Sequence, residues 1–471
     1  MGVEKNIVAI ELGSSSVRGI IGQRRSDGSL HILGYEKEYM PDAIRKGVVY
    51  NIDKTVAAIT AIKSRIEERQ KVYVNRVYVG LAGQSLHTVG NTVKRQLDVH
   101  VAINEDIVDS LMDENRAKSY GEAEILDVLP QEYRVGNRPT NDPAGIMADR
   151  IEGIYKNVVA RRALRESIQR VMQTAKLDVV DVFISPLLLA AYILTDTEKR
   201  SGCALVDFGA ETTTIAVYEK NVLRHLAVIP LGGNNITNDL ATSLHIETDE
   251  AESIKRRLGS AWTDEQDVTT PVYVDITGDR KVNEKDILNI IEARQQEILA
   301  NVWEQIKNYE DRLLSGVIFT GGAANIRNLE TAFVQYSHFE KVKTRTMPPS
   351  GEFATSLKLD YQNNNLATLV AMLRRGDVEC TSEKPLEPDL FEDPKQAENT
   401  TPTPATTPTG EGIVNTREAE EPAPAADVPT AETVEEKPEE EQKPAEPKSP
   451  GAFAKFSRWL RDKATELVDA N

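Results

Sequence analysis

Two acids, Glu11 and Asp207, each close an apolar run and are each followed two residues later by a glycine. The first stretch reads Val8-Ala9-Ile10-Glu11-Leu12-Gly13-Ser14-Ser15-Ser16 and the second Ala204-Leu205-Val206-Asp207-Phe208-Gly209-Ala210-Glu211-Thr212-Thr213. This set suits a nucleoside triphosphate with its Mg²⁺. Gly13 and Gly209 let backbone N–H groups approach phosphate oxygens without an intervening Cβ. The hydroxyls of Ser14, Ser15, Ser16, Thr212 and Thr213 supply further donors. The carboxylates of Glu11 and Asp207 would hold Mg²⁺, directly or through its retained waters. One of them could also orient or deprotonate an attacking water. A single copy of this pattern reads as an ordinary tight turn. Two copies, with a third turn at Gly321-Gly322, point to a nucleotide site. Gly232-Gly233 precedes a predicted helix, whose N-terminal N–H groups can accept an anion; alone that signal is weak.

The elements that must position these residues follow from hydrophobic pattern. Strand, acid, x, Gly, turn, strand occurs twice, so two related half-molecules should face each other across one cleft. In the first half, residues 6–23 form a hairpin and Leu30–Tyr35 a third strand. A helix is expected from Asp53, as N-cap, to Gln70, and a buried strand over Arg76–Ala82. Residues 84–163 interrupt this α/β order with no further acid–x–Gly turn and no paired catalytic groups, and read as an interaction module. Within it, strands are expected at Thr92–Leu97, Val99–Val101, Ile125–Leu129 (ended by Pro130) and Ala148–Tyr155, with a helix capped by Asn104. A strand at Val179–Ser185 and an apolar helix from Pro186, with Pro at its first position, lead into the second half. There the pattern gives helices at 236–244, 249–258 and 283–314, and a strand, double-Gly turn and helix start at 317–324. A last helix covers 364–374. Asp275–Arg280 invites a calcium-loop reading, which fails because the sixth position is Arg280 rather than Gly.

Composition narrows the class. The chain has 471 residues and a net charge of −18, which argues against nucleic acid as a partner. Between Thr381 and Pro450 there are 18 acids and 6 bases, so this segment carries two thirds of the excess. The same region holds 13 prolines; lacking hydrophobic periodicity, residues 377–450 are expected to be a disordered linker. The two cysteines, Cys203 and Cys380, fit a reducing compartment. No signal-peptide pattern opens the chain, and no apolar run approaches the ~20 residues that span a bilayer. Residues 451–471 are instead expected to form an amphipathic helix. Phe453, Phe456, Trp459, Leu460, Ala464, Leu467 and Val468 share one face, flanked by Lys455, Arg458 and Arg461, which suits a membrane surface.

With these residues in view, the chain resembles the actin/sugar-kinase/DnaK superfamily, and within it the bacterial FtsA family of cell division proteins. The two hairpins, the apolar helix at 186–192 and Phe319-Thr320-Gly321-Gly322-Ala323 match the superfamily's phosphate-1, connect-1, phosphate-2 and adenosine motifs. Glu11 in the first motif, Leu129-Pro130-Gln131-Glu132-Tyr133 in the insertion, Leu223-Arg224-His225 running into Val228–Asn234, and the linker with its terminal helix carry the likeness to the FtsA family. The resemblance implies an α/β, actin-like (ribonuclease H-like) duplicated two-domain fold with an inserted α+β subdomain. Domain IA would be 1–83 with 164–198, the SHS2-like IC subdomain 84–163, IIA 199–233 with 318–376, and IIB 234–317. It implies ATP and Mg²⁺ as ligands. Gly13, Ser14, Ser15, Gly209, Glu211, Thr212 and Thr213 would contact phosphates, Glu11 and Asp207 the metal and any catalysis. Gly232, Gly233, Glu252, Lys255, Gly321 and Gly322 would surround the adenosine. It further implies filaments on the cytoplasmic face of the inner membrane at the septum, binding of the FtsZ C-terminal peptide in IIB with Arg280 and Arg294 as contacts, and recruitment of later divisome membrane proteins. One departure matters. FtsA-like second motifs read Asp-x-Gly-Gly-Gly-Thr, whereas Ala210 cannot take the φ > 0 open to Gly and Glu211 adds a carboxylate near the phosphates. That charge would weaken ATP binding, point away or add a metal contact. At most weak ATPase activity is expected, with nucleotide as structural ligand and polymer switch. A small-molecule kinase would need a substrate pocket with its own base, which the sequence lacks. A pilus or plasmid-segregation scaffold is disfavoured by the insertion and terminal helix.

Overall fold

The structure, a computed structural model, describes residues 4–383 apart from 26, 28, 265–271, 348–353 and 356–365. The first lobe runs β1 (Lys5–Leu12), β2 (Ser16–Arg24), β3 (Leu30–Tyr39), β4 (Ile44–Arg45), β5 (Val48–Val49), α1 (Ile52–Gln70), β6 (Val72–Val74) and β7 (Arg76–Leu81). An inserted unit follows, with β8 (His87–Ala102), α2 (Glu105–Arg116), β9 (Ala123–Val135), β10 (Arg138–Thr140) and β11 (Met147–Arg161). Then come α3 (Arg162–Thr174), β12 (Asp178–Ile184), α4 (Ser185–Ile193) and α5 (Asp196–Ser201). The second lobe comprises β13 (Cys203–Phe208), β14 (Thr213–Glu219), β15 (Val222–Ile229), α6 (Gly233–Leu244), α7 (Thr248–Leu258), β16 (Tyr273–Ile276), β17 (Arg280–Asn283), α8 (Glu284–Ile306), β18 (Val317–Thr320), α9 (Leu329–Ser337) and β19 (Val342–Thr344). The chain returns to the first lobe through β20 (Ala354–Thr355), α10 (Ala367–Arg375) and β21 (Thr381–Glu383).

The duplication expected from the two hairpins is present in the sheets. The first is ordered β12-β7-β1-β2-β3-β20 and the second β15-β14-β13-β18-β19. Leaving β20 aside, each lobe places its strands 3-2-1-4-5, with the first three antiparallel and the last two parallel to the first. The central runs Ile7–Ile10 and Ala204–Val206 are buried, as continuous apolar strands in two-sided sheets should be. Leu189, Ala190 and Ile193 of α4 share one core with Leu205, Ala216 and Ile318 of the second sheet and with Leu369 and Leu373 of α10. The inserted unit has its own sheet, β10-β9-β11-β8, and its own core around Val93, Leu111, Tyr133 and Tyr155.

Several local expectations are corrected. The N-cap of α1 is Asn51, whose side chain accepts the Lys54 N–H, and Asp53 lies in the first turn. Strand β9 does not stop at Pro130. It continues to Val135: Pro130 stays in register opposite Tyr155, and a register shift against β11 between Ile154 and Tyr155 leaves Gln131 as the extra residue of a bulge. The stretches 92–97 and 99–101 are one strand, β8. Helix α8 ends at Ile306 and tightens into a 3₁₀ segment, and 322–325 is likewise 3₁₀. Residues 377–383, assigned by composition to the linker, belong to the fold. β21 pairs with β6, the Cys380 N–H donates to the Asn6 carbonyl, and the Tyr78 hydroxyl accepts the N–H groups of Asp377 and Val378.

Candidate functional site

The hairpin turns are built alike. The Gly13 N–H donates to the Ser16 carbonyl at 3.1 Å and the Gly209 N–H to the Thr212 carbonyl at 2.8 Å. The positive-φ residues do not include Gly209, Ala210 or Glu211, so this version of the second turn accommodates Ala210 without strain. The Gly13 turn is held by the first lobe: Ser14 Oγ accepts the Gly47 N–H at 3.0 Å, and the Ser15 carbonyl accepts the Met40 N–H at 3.2 Å. The Gly209 turn is laced to the start of α6. The Gly209 and Ala210 carbonyls accept the N–H groups of Gly233 (3.0 Å) and Asn234 (2.6 Å). The Thr213 hydroxyl is buried and donates to the Leu231 carbonyl at 2.9 Å, which makes it a brace for this loop. Glu211 reaches the other lobe, where its Oε2 accepts the Lys46 N–H at 2.6 Å.

Glu11 and Asp207 come together near the ends of β1 and β13. Burial raises the proton affinity of Glu11, against the opposing pull of the Arg18 guanidinium and a hydrogen bond from Thr368. Asp207 is pushed up to about 6, first by burial and then by the neighbouring charge of Glu11. Arg18 lies opposite Glu11 in the first hairpin and forms an ion pair with it at 3.1 Å. Sequence reasoning missed Arg18, although hairpin register counted back from the Gly13 turn pairs it with Glu11. It also missed Thr368, which α10 brings from the far end of the chain. Two half-buried carboxylates that disfavour each other's charge are a site that a divalent cation would relieve. That donor set fits Mg²⁺.

The remaining glycines shape the wall on the second lobe. Gly321 follows β18 with φ 92° and ψ 164°, and its missing side chain leaves room for the Asp207 carboxylate and the Phe208 backbone. Gly322 opens the 3₁₀ turn after it. The Gly232 N–H donates to Asn235 Oδ1 at 2.9 Å. Lys255 is mostly buried and joins Glu252 Oε2 (2.6 Å), the Gly233 carbonyl (3.0 Å) and Thr237 Oγ1 (2.8 Å). Burial lowers the Lys255 pKa, with the Glu252 charge opposing. Burial would raise Glu252, but Lys255, Thr237 and Arg256 pull it below its ordinary value. Glu252 and Lys255 thus tie α7 to the first turn of α6.

Arg280 and Arg294 belong to the outer part of the second lobe. Arg280 donates to the carbonyls of Thr277 (3.3 Å) and His245 (3.1 Å). Arg294 is engaged by Asp239 at 2.5 Å and by Glu297. Phe453, Phe456, Trp459, Leu460 and Leu467 lie outside the described residues. No helix among the described residues is long and apolar enough to cross a membrane.

Comparison with known proteins bears on the family and the fold. Residues 204–371 match the family described as "Cell division protein FtsA", and 83–159 match "SHS2 domain inserted in FTSA". Cell division protein FtsA of Bacillus subtilis is 30% identical over 324 residues, covering 67% of this chain and 73% of that protein. The Pseudomonas aeruginosa protein of the same name is 29% identical over 331 residues, covering 68% and 78%. Among solved structures, the PilM–PilN type IV pilus biogenesis complex aligns with a TM-score of 0.54 at 14% identity, covering 78% of this chain and 98% of that one. That likeness concerns the fold alone, the actin-like one visible in the paired sheets.

Proposed function

The chain belongs to the FtsA family of cell division proteins, and from that premise we propose that it binds ATP·Mg²⁺ between its lobes, polymerises, and holds the tubulin-like protein FtsZ at the inner face of the cytoplasmic membrane while later division proteins assemble. The observation that supports nucleotide binding best is the convergence of Glu11 and Asp207 on one half-buried point beside two matched Gly turns. When bound, the metal would neutralise phosphate charge and the paired carboxylates together. The chain's own residues do the rest. Glu11 and Asp207 present oxygens to the cation, and Arg18 limits their repulsion. The Gly13 and Gly209 turns leave the backbone open to phosphate oxygens. Gly232, Gly233 and Gly321 keep the wall clear, with Glu252 and Lys255 bracing it. Nucleotide acts in this reading as ligand and switch rather than as a rapidly consumed substrate.

Asp207→Ala should abolish ATP·Mg²⁺ binding by the full chain in an equilibrium titration; wild-type affinity would refute the assignment. The membrane role rests on residues 451–471. Their deletion should move the protein from the pellet to the supernatant on centrifugation with anionic phospholipid vesicles, and an unchanged distribution would refute the tether. Titration with an FtsZ C-terminal peptide, with and without ATP·Mg²⁺, tests the partner. Saturable binding weakened by Arg280→Ala is expected, and no binding under either condition would refute it.

A further inference from the structure

We propose that Glu211 is a built-in anion that bridges the lobes and sets the cleft's preference between a nucleoside triphosphate and a diphosphate. The inference rests on the nucleotide reading and deepens it. Glu211 stands on the turn that the second lobe offers to phosphate, yet its Oε2 accepts the backbone N–H of Lys46 from the opposite lobe at 2.6 Å. The next amide along, Gly47 N–H, donates to Ser14 Oγ of the first turn at 3.0 Å. Two consecutive amides of the 46–47 corner are therefore divided between the two turns. The corner is fixed in that pose. Lys46 and Gly47 have φ of 49° and 76°, and a Cβ on Gly47 would lie 2.7 Å from Gly83 Cα. The lobes meet at a second point, where the Tyr39 hydroxyl of β3 is hydrogen-bonded by Arg256 of α7 as well as by Lys37.

A carboxylate that accepts a backbone amide makes the kind of charge-assisted bond that a phosphate oxygen makes. Glu211 thus supplies from the protein an anionic contact that would otherwise come from the ligand, and the bridge forms without nucleotide. The same charge has a second effect. A terminal phosphate entering beside the Gly209 turn meets a fixed like charge, and a triphosphate carries more charge there than a diphosphate does. Removing one charge at a few ångströms in a half-buried site changes affinity by about tenfold.

The test uses the full chain and two variants that separate charge from hydrogen bonding. Glu211→Gln keeps an acceptor oxygen without charge, and Glu211→Gly removes both. Hydrogen exchange of the segment 44–50 is followed by mass spectrometry in nucleotide-free protein, and ATP·Mg²⁺ and ADP·Mg²⁺ are titrated separately. Exchange at 44–50 should rise about tenfold in Glu211→Gly and far less in Glu211→Gln, because only the first loses the acceptor. The ratio of the ADP Kd to the ATP Kd should rise about tenfold in both variants. Unchanged exchange in Glu211→Gly overturns the bridge, and an unchanged ratio in both variants overturns the selectivity. If none of the three proteins binds nucleotide while Glu211→Gly still exposes 44–50, the nucleotide reading and the selectivity fall and the bridge is upheld.

Discussion

Gly321→Ala places a methyl group at the tightest point of the site. The backbone there, φ 92° and ψ 164°, is a conformation that in practice only glycine adopts. A Cβ would lie 2.5 Å from the Phe208 carbonyl oxygen and 2.7 Å from the Phe208 nitrogen, and would overlap Asp207 Oδ1 more deeply still. Forcing the dihedral costs about 1–3 kcal/mol. Displacing β13, which is paired on both edges, adds about 1–3 kcal/mol as overpacking. A loss of about 2–6 kcal/mol is a large share of the ~5–15 kcal/mol by which native proteins are stable. Gly121→Ala gives the scale, since Gly121 has φ 66° and nothing within 4 Å of its virtual Cβ. Only the dihedral cost remains there, about 1 kcal/mol. Urea unfolding of nucleotide-free protein should show Gly321→Ala well below Gly121→Ala in midpoint at unchanged slope. Because Asp207 is what the methyl displaces, ATP·Mg²⁺ affinity should fall in Gly321→Ala and not in Gly121→Ala. Stabilities within about 0.5 kcal/mol of each other would mean that the turn relaxes freely and that its contact with Asp207 does not shape the site.

Other consequences are open to measurement. Glu198 closes a capping box with Thr195 and pairs with Arg345 and the half-exposed Lys343. Glu198→Gln should cost about 2–4 kcal/mol in a chemical melt, most of it from the Arg345 side. Burial alone would raise Glu198, but these partners hold it well below its usual 4.5. Its contribution is therefore present above pH 4.5, is lost as pH falls through its folded value, and should be missing from the acid unfolding curve of Glu198→Gln. His225, half-buried and hydrogen-bonded through Nε2 to Gln305 Oε1, has its pKa held below 6.5 by partial burial. Its ring resonances should titrate with a midpoint under 6.5, and a midpoint above that value would contradict the burial argument. Arg18→Met leaves Glu11 and Asp207 without their shared cation. The nucleotide-free protein should lose about 3 kcal/mol of stability at pH 8, with millimolar Mg²⁺ recovering part of it; an unchanged melt would show that Arg18 is not their compensating charge.

What could be read from sequence was local. The acid–x–Gly turns, the apolar runs of β1 and β13, the Pro at the start of α4 and the period of α1 each declare themselves within a few residues, and together they specify the duplicated sheets. Gly13, Gly209, Gly321 and the Glu11–Asp207 pair were legible because turn chemistry and strand ends are short-range features. Asn51 displaced Asp53 as N-cap because either type can cap, and only backbone geometry chooses between neighbours. Pro130 appeared to end its strand because a bulge, which depends on the partner strand, does not show in a single run. Thr368 and Lys46 reach the site from distant segments, and nothing in their neighbours announces it. Likewise β21 looks like linker because its composition is linker-like; Cys380 is buried and Tyr78 collects two backbone amides only once β6 and β7 are in place.

That last strap also has a mechanical meaning. The described body hands the chain on at Glu383, so tension applied from beyond that residue enters through the Glu383–Val72 pair. It then meets the backbone bonds of Cys380 to Asn6, Asn75 and Arg76, and the Tyr78 hub. Only after these yield does the pull reach α10, whose Thr368 holds Glu11. A short ladder of hydrogen bonds in series with a helix that touches the cleft is a force path. Light loads are stopped at β21, and loads heavy enough to strip it act on Glu11, the first carboxylate of the proposed nucleotide site.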